Sequence, residues 1–278
     1  MATAPFERVV VVDWSANSRP TRGRDSIWIA VLDGTGVSTA NPATRAQASA
    51  EIEECCRRSG RVLVGVDFSL GCPAGTAHAL GLTGSGWRAT WGLLTAMIDD
   101  ADDNANNRFE VAAELNARLG PGPGPFWGCP PSRATTTLTP TKVAPTPLPE
   151  WRLVERELRR RALRPFSSWQ LLGAGSVGSQ SLLGIPRLTR LERVLVAAGR
   201  TVDVWPFTGD DPTADVVIAE VWPSLHPVSV PPGRIRDEVQ VVETAQRLAG
   251  RSFSLSLPAL PSDERRIVAG EEGWIIGA

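Results

Sequence analysis

Short, densely apolar runs alternate along this chain with longer stretches whose apolar residues recur at helical spacing. Arg8–Val12 contains the unbroken run Val9 to Val12 and stops at Asp13. Consecutive branched aliphatics of this kind suit a strand buried on both faces of a sheet. Ser26–Leu32 predicts a second strand, Asp33-Gly34 a hairpin turn behind it, and the residues around Val37 a short third strand. A helix is expected over Thr44–Ser59, with Ala46, Ala50 and Ile52 on one face and Gly60 ending it. Arg61–Val66 is another apolar strand and stops at Asp67; Asp215–Ala219 is a third such run and stops at Glu220. Beyond the Pro232-Gly233 break, Asp237–Ala249 predicts a helix with Val239, Val242, Ala245 and Leu248 facing inward.

The region between Asp67 and Val216 is less regular. Trp91–Leu119 predicts two helical pieces separated by the polar Asp99–Asn107, and Trp151–Leu163 a further helix with Leu153, Val154, Leu158 and Ala162 on one side. Gly120–Pro149 holds too much Pro, Gly and Thr for a regular element, and its Phe126, Trp127 and Cys129 suggest an ordered surface loop. No internal repeat or second self-contained core is evident. The expectation is one domain over residues 1–278, with 75–212 inserted before the last core strand and helix.

Three of the apolar runs share one design. Val9–Asp13, Val62–Asp67 and Val216–Glu220 each set a carboxylate after a buried strand. If the strands lie parallel in one sheet, the acids meet at its carboxyl edge, where α/β proteins bind ligands. Clustered carboxylates repel and need a counter-charge. Mg²⁺ or Mn²⁺ supplies it, since both prefer oxygen ligands and keep water positions open. A fourth acid comes from Asp237 or Glu238 at the start of the last helix. Read this way, Asp13 bridges two metals about 4 Å apart, Asp67 and Glu220 hold them, and Asp237 completes the set.

Composition narrows the class. The chain has 278 residues with 29 Lys+Arg against 30 Asp+Glu, a formal charge of −1, which excludes a polycationic nucleic-acid coat. No run approaches the roughly 18 apolar residues of a membrane span, and Met1–Arg8 lacks a signal-peptide core, so a cytoplasmic protein is expected. Cys55, Cys56, Cys72 and Cys129 form no C-x-x-C pair, and His78 and His226 stand alone. Zinc by thiolate and imidazole is therefore not expected, and acid–base chemistry falls to carboxylates.

Four stretches carry a resemblance: Val10-Val11-Val12-Asp13-Trp14-Ser15-Ala16, Val64-Gly65-Val66-Asp67-Phe68-Ser69-Leu70-Gly71, Ser168-Trp169-Gln170-Leu171-Leu172-Gly173, and Glu220-Val221-Trp222-Pro223. With them the chain resembles a bacterial family described as predicted RNase H-like nucleases. The resemblance implies an α/β fold, an RNase H-like mixed sheet with a β-β-β-α-β opening flanked by helices. It also implies a metal-dependent phosphodiesterase, with nucleic acid as partner. Asp13-Trp14-Ser15 and Asp67-Phe68-Ser69 are also similar to the phosphate-binding turns of sugar-kinase and actin-like ATPases. An ATP-dependent phosphotransferase is thus an alternative, as is a binding protein that keeps the fold without catalysis.

Two further signals bear on ligands. Gly173-Ala174-Gly175-Ser176-Val177-Gly178 matches G-x-G-x-x-G, with Asp203 downstream as a ribose-binding acid. A dinucleotide site needs a strand directly before and an unbroken helix after, and Gly184-Ile185-Pro186 is expected to interrupt that helix. A glycine-rich turn, or a backbone nest for phosphate, is the preferred reading. Residues 151–200 carry ten arginines against three glutamates, a surplus of +7 that suits a polyanion and equally suits a solvated face. Ser15 and Ser69 each follow a strand-end acid by two residues, as turn formers or as phosphate donors.

Overall fold

The computed structural model describes residues 6–143, 146, 148–173, 175–250, 253 and 255–278; Met1–Pro5, Ala144, Pro145, Pro147 and Ala174, on which parts of the sequence reading fall, lie outside them. The opening is a meander of β1 (Arg8–Asp13), β2 (Trp28–Asp33) and β3 (Gly36–Ala40), each antiparallel to the next. β4 (Val62–Val66) and β6 (Val216–Glu220) run parallel to β1, and the short β5 (Val202–Val204) runs parallel to β6. The order β3-β2-β1-β4-β6-β5 makes one six-stranded mixed sheet flanked by helices. The α/β class expected from the sequence is thus observed.

Strand alternation divides the interior in two. Val10, Val12, Val62, Val64, Val66, Val216 and Ile218 face a layer built from α1 (Arg45–Arg57), α3 (Gly86–Met97), α4 (Arg108–Leu119) and α6 (Val177–Ala197). Val9, Val11, Leu63, Val217 and Ala219 face α5 (Leu153–Arg160), α7 (Arg236–Leu248) and the C-terminal Trp274–Ile276. The helices of 75–212 therefore complete the same core that the sheet begins. Five short elements remain among the described residues: α2 (Thr76–Ala79), 3-10 turns over Pro131–Arg133 and Pro223–Leu225, α8 (Ser262–Ile267) and a π-turn over Val268–Glu272. No helix among the described residues is long and apolar enough to cross a membrane.

Two helices depart from the sequence reading. In α1 the Thr44 side chain caps the Gln47 N–H at 3.2 Å, and the buried stripe is Ala48, Ile52 and Cys56, an i, i+4, i+8 row; Ala50 is exposed. α6 runs unbroken through Gly184-Ile185-Pro186. The proline forfeits one backbone hydrogen bond, which burial of Leu182, Leu183, Ile185 and Leu188 outweighs at roughly 1.5–3 kcal/mol per side chain. Gly184 is there for space: a Cβ would stand 2.2 Å from Cζ of Phe68, the residue after Asp67.

Gly184→Ala is accordingly expected to cost about 1–3 kcal/mol in urea unfolding. In a Phe68→Leu background the same change should cost measurably less, since the ring it strikes is gone. Equal costs in both backgrounds would show that the helix, not the contact, sets the penalty.

Candidate active site

The register decides which strand-end acids meet. Val12 pairs with Val66, so Asp13 and Asp67 stand one step beyond at the ends of adjacent parallel strands. Both continue the rows that face α7. Glu220 instead pairs with Val66 itself and continues the row of Val216 and Ile218, which faces the other layer. A one-residue difference in register places a side chain on the opposite face. The first two acids stand side by side, while the third borders Asp67 across a small space and adds to the charge that raises it.

Asp13 and Asp67 share a hydrogen bond between their carboxyls, and Asp67 Oδ1 accepts the Trp14 N–H at 2.7 Å. Burial, then the Asp67 charge and its hydrogen bond, then Asp237 and Asp25, hold Asp13 well above the usual carboxylate range. Burial raises Asp67 to about 6, against the lowering effect of the hydrogen bonds from Asp13 and Trp14. Burial and the closeness of the two carboxyls favour a proton shared by the pair. It lies on the floor of a cleft of about 710 Å³ that Asp25, Asp237, Arg108, Gln180 and the Gly173–Val177 turn also line.

Asp237, in the first turn of α7, accepts the Asp25 N–H at 2.9 Å through Oδ2. Glu238 turns away, taking Thr39 Oγ1 at 3.2 Å and Arg234 Nε at 2.8 Å. Of the two acids left open by the sequence, Asp237 is the one in the cleft. Asp25 was not singled out by the sequence; it has no strand in front of it, and only the chain reversal before β2 carries it here.

Glu220 is committed elsewhere. Arg152 donates to both its oxygens, Nη1 to Oε2 at 2.8 Å and Nη2 to Oε1 at 2.6 Å, and the Leu70 N–H adds a third bond at 3.2 Å. The fully buried guanidinium also reaches Glu155 Oε1 at 2.9 Å and the Glu272 carbonyl at 2.8 Å. Glu272 in turn accepts the Ala74 and Leu153 N–H groups. Among the described residues no group of three or more His, Cys, Asp or Glu side chains is placed to hold a metal. Ser69 is buried, and its hydroxyl has no partner. It borders a space of about 30 Å³ between Asp67 and Glu220, enough for one water. Ser15 accepts the Asn17 N–H at 3.3 Å in the turn at the cleft edge.

The glycine-rich segment forms the facing wall. Leu171 bonds to Trp127 across an isolated bridge at Gln170, so no strand leads into it. A Cβ on Gly175, at φ +65°, would lie 2.0 Å from the Phe166 ring, and one on Gly178 2.5 Å from the Ser168 carbonyl. These glycines allow a tight turn against 166–170. Asp203 is used by the Thr213 and Ala214 N–H groups at 3.1 and 3.0 Å. Gln180 Nε2 donates to the Trp14 carbonyl at 2.6 Å and ties α6 to the end of β1.

The arginines of 151–200 divide between the interior and the surface, where Arg156, Arg159, Arg160, Arg161, Arg164, Arg190 and Arg193 are exposed. Arg152 is internal, Arg187 pairs with Asp100, and Arg200 donates to the Gly60 carbonyl at 2.6 Å. Arg160 pairs with Glu157, and Arg159 stacks on Trp151. Arg190 and Arg193 lie further along α6 than Gln180 of the cleft, by about 15 and 20 Å respectively.

A raised folded pKa means that stability is fully present below the unfolded value and is lost as pH climbs through the folded one. For Asp67 that window runs from 3.8 to about 6 and corresponds to at most about 3 kcal/mol. In EDTA, Asp13→Asn should therefore stabilise the protein relative to wild type, and its advantage should widen between about pH 4 and pH 7. Thermal melts across that range measure it. A constant difference with pH would mean that the two carboxyls do not interact.

No protein-family model, curated protein or solved structure matches the chain.

Proposed function

We propose that this protein is a metal-dependent phosphodiester hydrolase of the RNase H-like kind, working from the Asp13–Asp67 pair with Asp237 beside it. The observation that carries the reading is the pair itself. Two carboxyls stand at the ends of adjacent parallel strands on the floor of an open cleft, and the Trp14 N–H fixes one of them. The antiparallel β1-β2-β3 meander followed by α1 and a parallel β4 supports the RNase H-like assignment.

The donor set suits Mg²⁺ or Mn²⁺: all oxygen, anionic, and short of positive charge. Asp13 and Asp67 would hold the cation, and the oxygen of Asp237 not engaged by Asp25 remains free toward the cleft. Glu220 does not fit a second cation, because Arg152 already neutralises it on both oxygens. With Glu220 so engaged, our reading is one cation per chain rather than the two-metal arrangement expected from the sequence. When bound, such an ion polarises a water and a phosphoryl oxygen. The chain's own part is to hold the floor rigid, through Trp14 packed on Phe68, and to face the substrate with the positive end of α6. Nucleic acid is the substrate class in this reading.

Calorimetric titration with Mn²⁺ is expected to show a single ion per chain, lost in Asp13→Asn and in Asp67→Asn. A panel of single-stranded, double-stranded, hybrid and branched substrates with Mn²⁺, run beside ATP turnover, then reads the chemistry. Cleavage that disappears in Asp67→Asn supports the hydrolase; ATP hydrolysis without cleavage transfers the site to the phosphotransferase reading. If Mn²⁺ does not bind, the metal-dependent reading fails.

Glu220→Gln should behave differently from the aspartate variants. Breaking a buried ion pair leaves Arg152 undercompensated and is expected to cost about 3–5 kcal/mol by urea denaturation. Below the unfolding transition the variant should still bind Mn²⁺. Loss of metal with little loss of stability would return Glu220 to the metal set.

A further inference from the structure

Four arginines are buried among the described residues, and three of them have an acid. Arg8 lies 3.8 Å from Asp33, Arg45 holds Asp100, and Arg152 holds Glu220 and Glu155. Arg108, 7% exposed, has none. Its Nε donates to Ser179 Oγ at 3.0 Å, and its Nη1 to Ser18 Oγ and Asn106 Oδ1, both at 2.8 Å. Every acceptor is neutral, and Nη2 donates to nothing among the described residues although Arg108 lines the cleft.

The surroundings make that cation costlier still. Arg108 is the first residue of α4, and Ser179 lies in the first turn of α6, so the positive ends of two helices flank it. Burial and the charge of Arg45 push its pKa down to about 10, so it stays ionised at neutral pH against its environment. α6 also starts without a side-chain cap: Ser176, at its N-cap, makes no capping bond and lines the same cleft. Arg108 also stacks on the Phe109 ring at 4.3 Å. An uncapped helix start and a guanidinium with no ion pair among the described residues, side by side, are both complemented by one oxyanion.

We propose that Arg108 and the start of α6 form a phosphate subsite in the wall of the cleft above the Asp13–Asp67 floor. It deepens the hydrolase reading by naming what holds the substrate's phosphate, and rests on that reading only for the anion's identity. Two sources share this chemistry: a free or terminal phosphate, and a phosphodiester in a polynucleotide backbone.

The test is calorimetry in EDTA, at matched ionic strength, with inorganic phosphate, pyrophosphate and a short single-stranded oligonucleotide lacking terminal phosphates. Wild type should bind at least one of these saturably. Binding of the first two alone identifies a terminal phosphate as the ligand, and binding of the oligonucleotide a backbone. Arg108→Met should weaken binding by about tenfold or more, the loss expected for a charge-assisted hydrogen bond. Since Arg108 also braces Ser18 and Asn106, Ser176→Asp provides a variant expected to fold. Its carboxylate caps α6 and occupies the subsite, so it should raise Tm and abolish phosphate binding. The proposal is overturned if wild type binds none of the three, or if Ser176→Asp binds phosphate as wild type does. Because no metal is present, anion binding without Mn²⁺ binding would sustain the subsite while removing the hydrolase reading.

Discussion

Burying a carboxylate at the end of a central strand requires either a positive partner or a proton, and Arg152 provides that partner to Glu220 alone. Its guanidinium spans Glu220 and Glu155 and reaches the Glu272 carbonyl, joining β6, α5 and the C-terminal π-turn through one buried group. Asp13 and Asp67, one register step beyond, are left to share a proton. A carboxyl edge that is neutral at one strand and undercompensated at the next is polarised. The undercompensated part is the one that opens into the cleft.

The loop after β1 is held with similar means. Arg45 on α1 donates to the Ser15 and Asn17 carbonyls at 3.0 and 2.8 Å, and Asp100, which balances Arg45, also binds Arg187 of α6. Gln180 fixes the Trp14 carbonyl from the same helix. Residues 14–17 are thus clamped from α1 and α6 at once, and Asp67 locks the Trp14 N–H from β4. These bonds turn three separate elements into one rigid floor, which is what a site needing sub-ångström placement of two carboxyls demands. The helices of 75–212 contribute to the site through α6 and the α3–α4 connection, so the region that looked like an insertion is part of the support.

Strand identity was legible because a strand buried on both faces leaves an unbroken apolar run: Val9–Val12, Val62–Val66 and Val216–Glu220 are all strands, and Asp13 and Asp67 end as neighbours. The placement of Glu220 was encoded too, since a single residue of register separates it from the pair, but register is set by pairing across the sheet and not by the local run. Arg152 was visible only as one arginine among ten, and nothing local marks which charge in a basic segment will be buried. Pro186 misled because local propensity speaks against it, while the apolar face of α6 has enough to bury that tertiary packing prevails. Arg108 carries no motif at all. Its position follows from α4 starting where the polar Asp99–Asn107 stretch ends.

Net charge is a poor guide to what such a cleft accepts. The chain is close to neutral overall, and of the ten arginines in residues 151–200 Arg152 is internal and Arg187 is neutralised by Asp100. What a ligand meets is local: acids on the floor, and on the wall a guanidinium with the positive end of a 21-residue helix. At 0.15 M salt, screening over about 8 Å removes most of the effect of remote charges, while groups recessed in a low-dielectric cleft keep theirs. A purely cationic ligand would suit the floor and be repelled by the wall, and an anion the reverse. In the proposed reading a metal-bound phosphate would satisfy both at once, its cation held by the carboxyls and its charge met by Arg108. A cleft of this polarity would then favour the combination over either charge alone.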